Sequence, residues 1–233
     1  MRAFVFAFVV AAMSGGCGLI SSDVTNFDLT LPDKTFTIDT QQWMLSNADQ
    51  FLSTSCASMP GSCAAAANQV CKSVTCFGSC DQTTQTCDAQ VLPSLYQTVN
   101  LLVDKPELKQ INDAPLVGVH IDSIDYVVTE NTLDIDTPEL QLYVAPATIM
   151  APGDPQASEI GTIAPIPAGT TPPQMTIVIG ADGQTAMAKF MGDYMNPFNI
   201  IVGTTLNLKM GSTIPTGRLT ATVKVTAHAQ LGG

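Results

Sequence analysis

Apolar and polar positions alternate most regularly near the C-terminus. Leu219, Ala221, Val223, Val225 and Ala227 fall on one side of an extended chain. Arg218, Thr220, Thr222, Lys224, Thr226 and His228 fall on the other. A period of two marks a strand with one buried and one wet face. From Leu116 the chain repeats the pattern. Val117, Val119 and Ile121 share one phase, and Ile124, Tyr126 and Val128 share the next. The slip near Ser123 predicts a bulge. Further strands are predicted over Asn131–Asp136, Glu139–Ala145 and Gln174–Ile179. Residues 146–173 carry seven of the fifteen prolines and read as loop. Phe198–Met210 and Arg218–Ala229 read as a hairpin closed by the turn at residues 211–217.

The N-terminal half is patterned differently. Thr35–Asp39 alternates as a strand. Thr40 is placed to cap a helix over residues 41–52, with Trp43, Met44 and Phe51 on one side. Cys63–Cys71 suggests a short helix, and Leu95, Val99, Leu102 and Val103 suggest an amphipathic one between Pro93 and Pro106. The fold class expected is mainly β with a small α part. An antiparallel β-sandwich over residues 116–233 stands beside a helical, cysteine-rich subdomain over residues 35–115.

The first residues belong to neither part. Met1-Arg2 is a short basic start, and Ala3–Met13 is an apolar run of eleven. That suits a secretory signal and falls short of the roughly 20 residues of a membrane-spanning helix. Ser14-Gly15-Gly16-Cys17 follows. This segment resembles a bacterial lipobox, with Ser14 where Leu is usual; a plain secretory cut nearby is the alternative. The resemblance implies that residues 1–16 are removed. The Cys17 thiol takes a diacylglyceryl group, and residues 17–34 tether the protein to a bilayer. Several acyl chains hold firmly, since each buried CH₂ contributes about 0.8 kcal/mol. Gly18 stands where an Asp would signal inner-membrane retention, so the outer membrane is the expected address.

Cys56, Cys63, Cys71, Cys76, Cys80 and Cys87 are separated by 6, 7, 4, 3 and 6 residues. They contain no close pair of the metal-binding kind and no neighbouring His. An even number in an exported chain reads as three disulfides, with fifteen pairings open. Between Gly61 and Cys87 the large apolar residues are Val70, Val74 and Phe77 alone. Such a stretch buries little, and each bridge compensates by roughly 3 kcal/mol.

Charge narrows the partners. Nine Lys and Arg stand against 20 Asp and Glu, a net −11. Nucleic acid and anionic lipid surfaces are poor matches for that balance. The two histidines, His120 and His228, sit in predicted strands and read as ordinary strand residues. No nucleophile-elbow, zinc-protease, phosphate-loop or dinucleotide motif occurs, and no cofactor is expected. Nine carboxylates lie between Asp104 and Glu139. Asp122, Asp125, Glu130, Asp134 and Asp136 are weak candidates for calcium, although they lack the Gly and closing Glu of a calcium loop.

The leading expectation is therefore a non-catalytic, membrane-tethered lipoprotein of the cell envelope. It would bind an envelope protein or assemble with its own copies. A calcium- or glycan-binding module is the alternative, and a hydrolase with an unrecognised site is the third reading. Mass spectrometry of the membrane fraction is expected to find the mature chain beginning at acylated Cys17. A free Cys17 thiol, or another first residue, would refute the lipid anchor.

Overall fold

The computed structural model describes residues 26–59, 61–111 and 116–231. The signal segment, Cys17 and the first half of the expected tether, residues 17–25, lie outside them. Among the described residues thirteen strands form three antiparallel sheets. The first holds β1 (Asn26–Asp28) and β2 (Lys34–Asp39), both paired with β13 (Arg218–Leu231). Beyond β13 come β6 (Leu116–Asn131) and β9 (Met175–Thr176). The second runs β10 (Val178–Ile179), β8 (Ser158–Ile163), β7 (Leu140–Pro146), β11 (Phe198–Gly203), β5 (Ser94–Val99). The third is β12 (Leu206–Leu208), β4 (Cys87–Leu92), β3 (Thr75–Cys80). Among the described residues there are also α-helices α1 (Ala48–Leu52), α2 (Ser62–Val70), α3 (Leu101–Asp104) and α4 (Ala181–Gly192), with 3-10 turns at Thr40–Trp43 and Pro106–Ile111.

The first two sheets pack face to face, as the mainly β, antiparallel expectation required. Leu219, Val223, Val225 and Ala227 of β13 are buried, as are Ile121, Ile124, Tyr126 and Val128 of β6. They meet Leu142 and Val144 of β7 and Phe198, Ile200 and Val202 of β11. The polar side of β13 stays outside: Lys224 and His228 are exposed, and Thr220, Thr222 and Thr226 are half-buried. The phase slip near Ser123 is a bulge. The register passes from Thr226/Ser123 to Ala227/Ile121, so Asp122 has no partner across.

Several local expectations are corrected. The segment after Pro93 is the strand β5, not a helix. Leu95 and Val99 are spaced for either period, and the open edge of β11 decides by pairing with all six residues of β5. Asn131–Asp136 is a loop: the chain leaves the ladder at Asn131, whose side chain accepts from the Leu133 N–H and donates to Pro167 and Thr170. The proline-rich stretch contains β8. Residues 174–179 divide between both sheets, β9 on β6 and β10 on β8, with the Ile177 N–H bonded to the Ile124 carbonyl at the crossing.

β11 and β13 do not form a hairpin. β11 lies between β7 and β5, and β13 is in the opposite layer. The expected helix over 41–52 is broken. Asp39, not Thr40, caps a short 3-10 turn at Thr40–Trp43; Met44 and Asn47 then take left-handed φ angles of 52° and 56° before α1 starts. α4 was not anticipated. Its sequence signal is the spacing of the buried Gly183, Met187 and Met191. A Cβ at Gly183 would collide with the Ile160 backbone, so only glycine lets α4 lie this close to β8.

The expected boundary between residues 115 and 116 runs through both main sheets. β2 pairs with β13, and β5 pairs with β11. The N-terminal half also places Leu29, Leu31, Phe36, Ile38, Val99, Leu101 and Leu108 in the shared core. The stapled segment has its own core of Phe51, Leu52, Ala67, Val70, Val91 and Leu208 around Cys56, Cys63, Cys76 and Cys87. It is carried on an extension of the sandwich. β4 and β5 pair with β12 and β11 in one continuous register, interrupted at Pro93, which has no N–H to donate. Trp43 packs on both cores.

Seven buried leucine, isoleucine, valine and phenylalanine side chains are worth roughly 10–20 kcal/mol at about 1.5–3 kcal/mol each. That matches or exceeds the roughly 5–15 kcal/mol by which domains are stable. A fragment of residues 116–233 is therefore expected to show no cooperative thermal transition by circular dichroism. A sigmoidal transition in that fragment would show that the C-terminal strands hold a core unaided.

Candidate functional site

The disulfides pair as Cys56–Cys80, Cys63–Cys87 and Cys71–Cys76. All three lie within the cluster, as the spacing predicted. Cys63–Cys87 ties the first turn of α2 to the start of β4. Cys56–Cys80 ties the chain after α1 to the end of β3. Cys71–Cys76 closes the connection from α2 to β3. α2 lies close on β3, where a Cβ at Gly78 would collide with the Cys63 carbonyl. The bridges hold a small knob rigid where apolar burial is thin.

Where this knob meets the sandwich there is a groove of about 470 Å³. Thr37, Asp39, Gln42 and Trp43 form the sandwich side. Ser73, Val74 and Thr75 come from the knob, and Leu92, Pro93, Ser94 and Leu95 from the strands that join them. Asp39 is the one ionisable residue in this lining, and its carboxylate is already engaged. It accepts from the Gln41 N–H at 3.1 Å, from Gln42 Nε2 at 3.4 Å and from Arg218 Nη2 at 3.1 Å. The lining thus combines hydroxyl and amide groups with one indole and a few apolar side chains. Sequence reasoning missed it because its parts come from residues 37–43, 73–75 and 92–95. The lone tryptophan in a polar stretch was the only local signal.

The calcium candidates do not gather around one turn. Asp125 accepts from Ser123 Oγ at 2.9 Å and Thr176 Oγ1 at 2.6 Å. Thr220 Oγ1 lies 3.5 Å from Glu130. Asp134 accepts from the Thr216 N–H and Oγ1, both at 2.8 Å, and Asp136 accepts from the Ala168 N–H at 2.8 Å. Each pins a different pair of segments, and together they assemble no shared oxygen shell. Asp122 faces the histidines instead. Its Oδ2 is 3.0 Å from His228 Nδ1, and its Oδ1 is 3.9 Å from His120 Nε2. Among the described residues, no three His, Cys, Asp or Glu side chains stand ready around an ion position.

Among the described residues four carboxyls depart from their ordinary range, Asp28, Asp81 and Asp134 downward and Asp88 upward. The Thr216 N–H, then its hydroxyl, holds the Asp134 carboxyl below the usual value. Desolvation, reinforced by the Asp81 charge, raises that of Asp88, whose Oδ1 is buried without a hydrogen-bond partner. No family model, curated protein or solved structure matches this chain.

A lowered folded pKa stabilises above the unfolded value of 3.8 and is lost as pH falls through the folded one. Asp134→Ala is expected to cost about 1 kcal/mol at pH 7, the scale of a net hydrogen bond. Urea denaturation should show the gap to the natural protein narrowing below pH 3.8. A gap independent of pH would mean that Asp134 acts through packing alone.

Proposed function

We propose that the chain is a non-catalytic binding module of the cell envelope, exported and tethered to a bilayer through acylated Cys17, with the groove beside Trp43 as its binding surface. The observation that carries this reading is the lining itself. Ligand sites favour the junctions between packed units and combine apolar surface with a few placed polar groups. This groove has hydroxyl, amide and indole groups held by rigid strands and disulfides. It lacks a free acid–base pair, since its single carboxylate is occupied by Arg218 and Gln42. Three disulfides agree with an oxidising compartment outside the cytoplasm. The occupant is a segment of another envelope protein or a second copy of this chain.

Photo-crosslinking in intact cells tests this. A photoreactive residue at Gln42 or Ser73 is expected to give a discrete protein adduct, of twice the chain mass if the partner is a second copy. The same residue at exposed Lys224, on the outer face of β13, should give none. Equal adducts from both places, or none from the groove, would reject the groove as the protein-binding surface.

A further inference from the structure

On the outer face of the third sheet, polar side chains converge without bonding to one another. Ser79 of β3 stands opposite Asp88 of β4, and Gln90 of β4 stands opposite Asn207 of β12. With Lys209, one residue past the end of β12, they line a cleft of about 280 Å³. Ala89 and Leu208, the other two lining residues, are buried in the core of the knob on the inner face. Among the described residues, none of the five polar side chains makes a hydrogen bond or a contact ion pair. The outer face of the first sheet behaves differently. There Thr35 bonds Thr222, Thr37 bonds Thr220, and Asp125 accepts from Ser123 and Thr176. Asp88 is the least satisfied of the five, since its Oδ1 is shielded from solvent and has no donor within reach. A carboxylate so desolvated gains more from a new donor than one still wrapped in water. Beside the cleft stands Phe77, register partner of Gln90 on the side away from Asn207, with 59% of its surface exposed.

We infer that this face binds a neutral saccharide, with one pyranose ring stacked on Phe77 and its hydroxyls directed into the cleft. The C–H groups on a pyranose face are apolar and weakly positive, which suits the negative face of an aromatic ring. Each sugar hydroxyl donates and accepts, and the cleft answers both needs. Asp88 accepts, Lys209 donates, and Ser79, Gln90 and Asn207 do either. One carboxylate and one ammonium leave the lining without net charge, and the −11 of the whole chain disfavours an acidic polysaccharide. The scaffold is stiffest at this point. Cys80 and Cys87 are register partners on the rung next to Ser79 and Asp88, and they are tied to separate segments at Cys56 and Cys63. Alternation along each strand sends the bridges inward and Ser79 and Asp88 outward. Groups held in place this way lose little freedom when a ligand arrives. The cleft shares no residue with the groove beside Trp43, so the site does not rest on the protein-binding reading.

An array of neutral and acidic oligosaccharides, screened with the purified protein, tests the site. Calorimetry and amide NMR follow with the neutral member bound best. Neutral members are expected to bind, with shifts centred on Phe77, Gln90 and Asn207 and none at Gln42 or Trp43. Phe77→Ala should abolish binding, and Phe77→Tyr, which keeps the ring, should retain it. Asp88→Asn and Asn207→Ala should each weaken binding about tenfold, the scale of one hydrogen bond. Thr222→Ala, on the outer face of the first sheet, should leave it unchanged. Unchanged circular dichroism will show that the variants fold. No binding anywhere on the array, binding confined to acidic members, full affinity in Phe77→Ala, or shifts centred on Trp43 would overturn the assignment.

Discussion

The register of β13 against β6 is the constraint on which the molecule depends. It runs from Leu219/Asn131 to Leu231/Leu116 and turns Ile121, Ile124 and Val128 of β6 and Val223 and Val225 of β13 toward the same core. A slip of one residue would exchange the buried and wet faces of the whole sheet. β1 and β2 both rest on the remaining edge of β13, so the first residues of the fold are placed by its last. The bulges that keep this long pairing in phase also decide what its outer face presents. They bring His120 and Asp122 to His228, a juxtaposition that belongs to the register and to no local motif.

A second ladder connects the two cores. β4 and β5 run as one line against β12 and β11, so the sandwich sheet extends directly into the stapled knob. Pro93 interrupts the hydrogen bonding without changing the register. The knob cannot rely on burial, since it offers few large apolar residues, and its disulfides shift the balance by restricting the unfolded chain. Two rigid bodies on one ladder leave a fixed recess between them. Trp43 packs on both cores at that recess, coupling the shape of the groove to the integrity of each.

The sequence by itself determined what depends on short-range pattern. The inward face of β13, the bulge near Ser123, the helix over most of Cys63–Cys71 and the confinement of three disulfides to one segment were legible, because alternation, phase and spacing record them directly. The strand β5 was not, since Leu95 and Val99 suit both periods and the edge of β11 decides between them. Nor was α4, whose buried stripe includes a glycine that only contact with β8 explains. The disulfide pairing, the distribution of strands between layers, the groove and the histidine pair were decided by tertiary structure. Each requires residues tens of positions apart to meet, and such meetings follow from the summed burial of many side chains, which no local period contains.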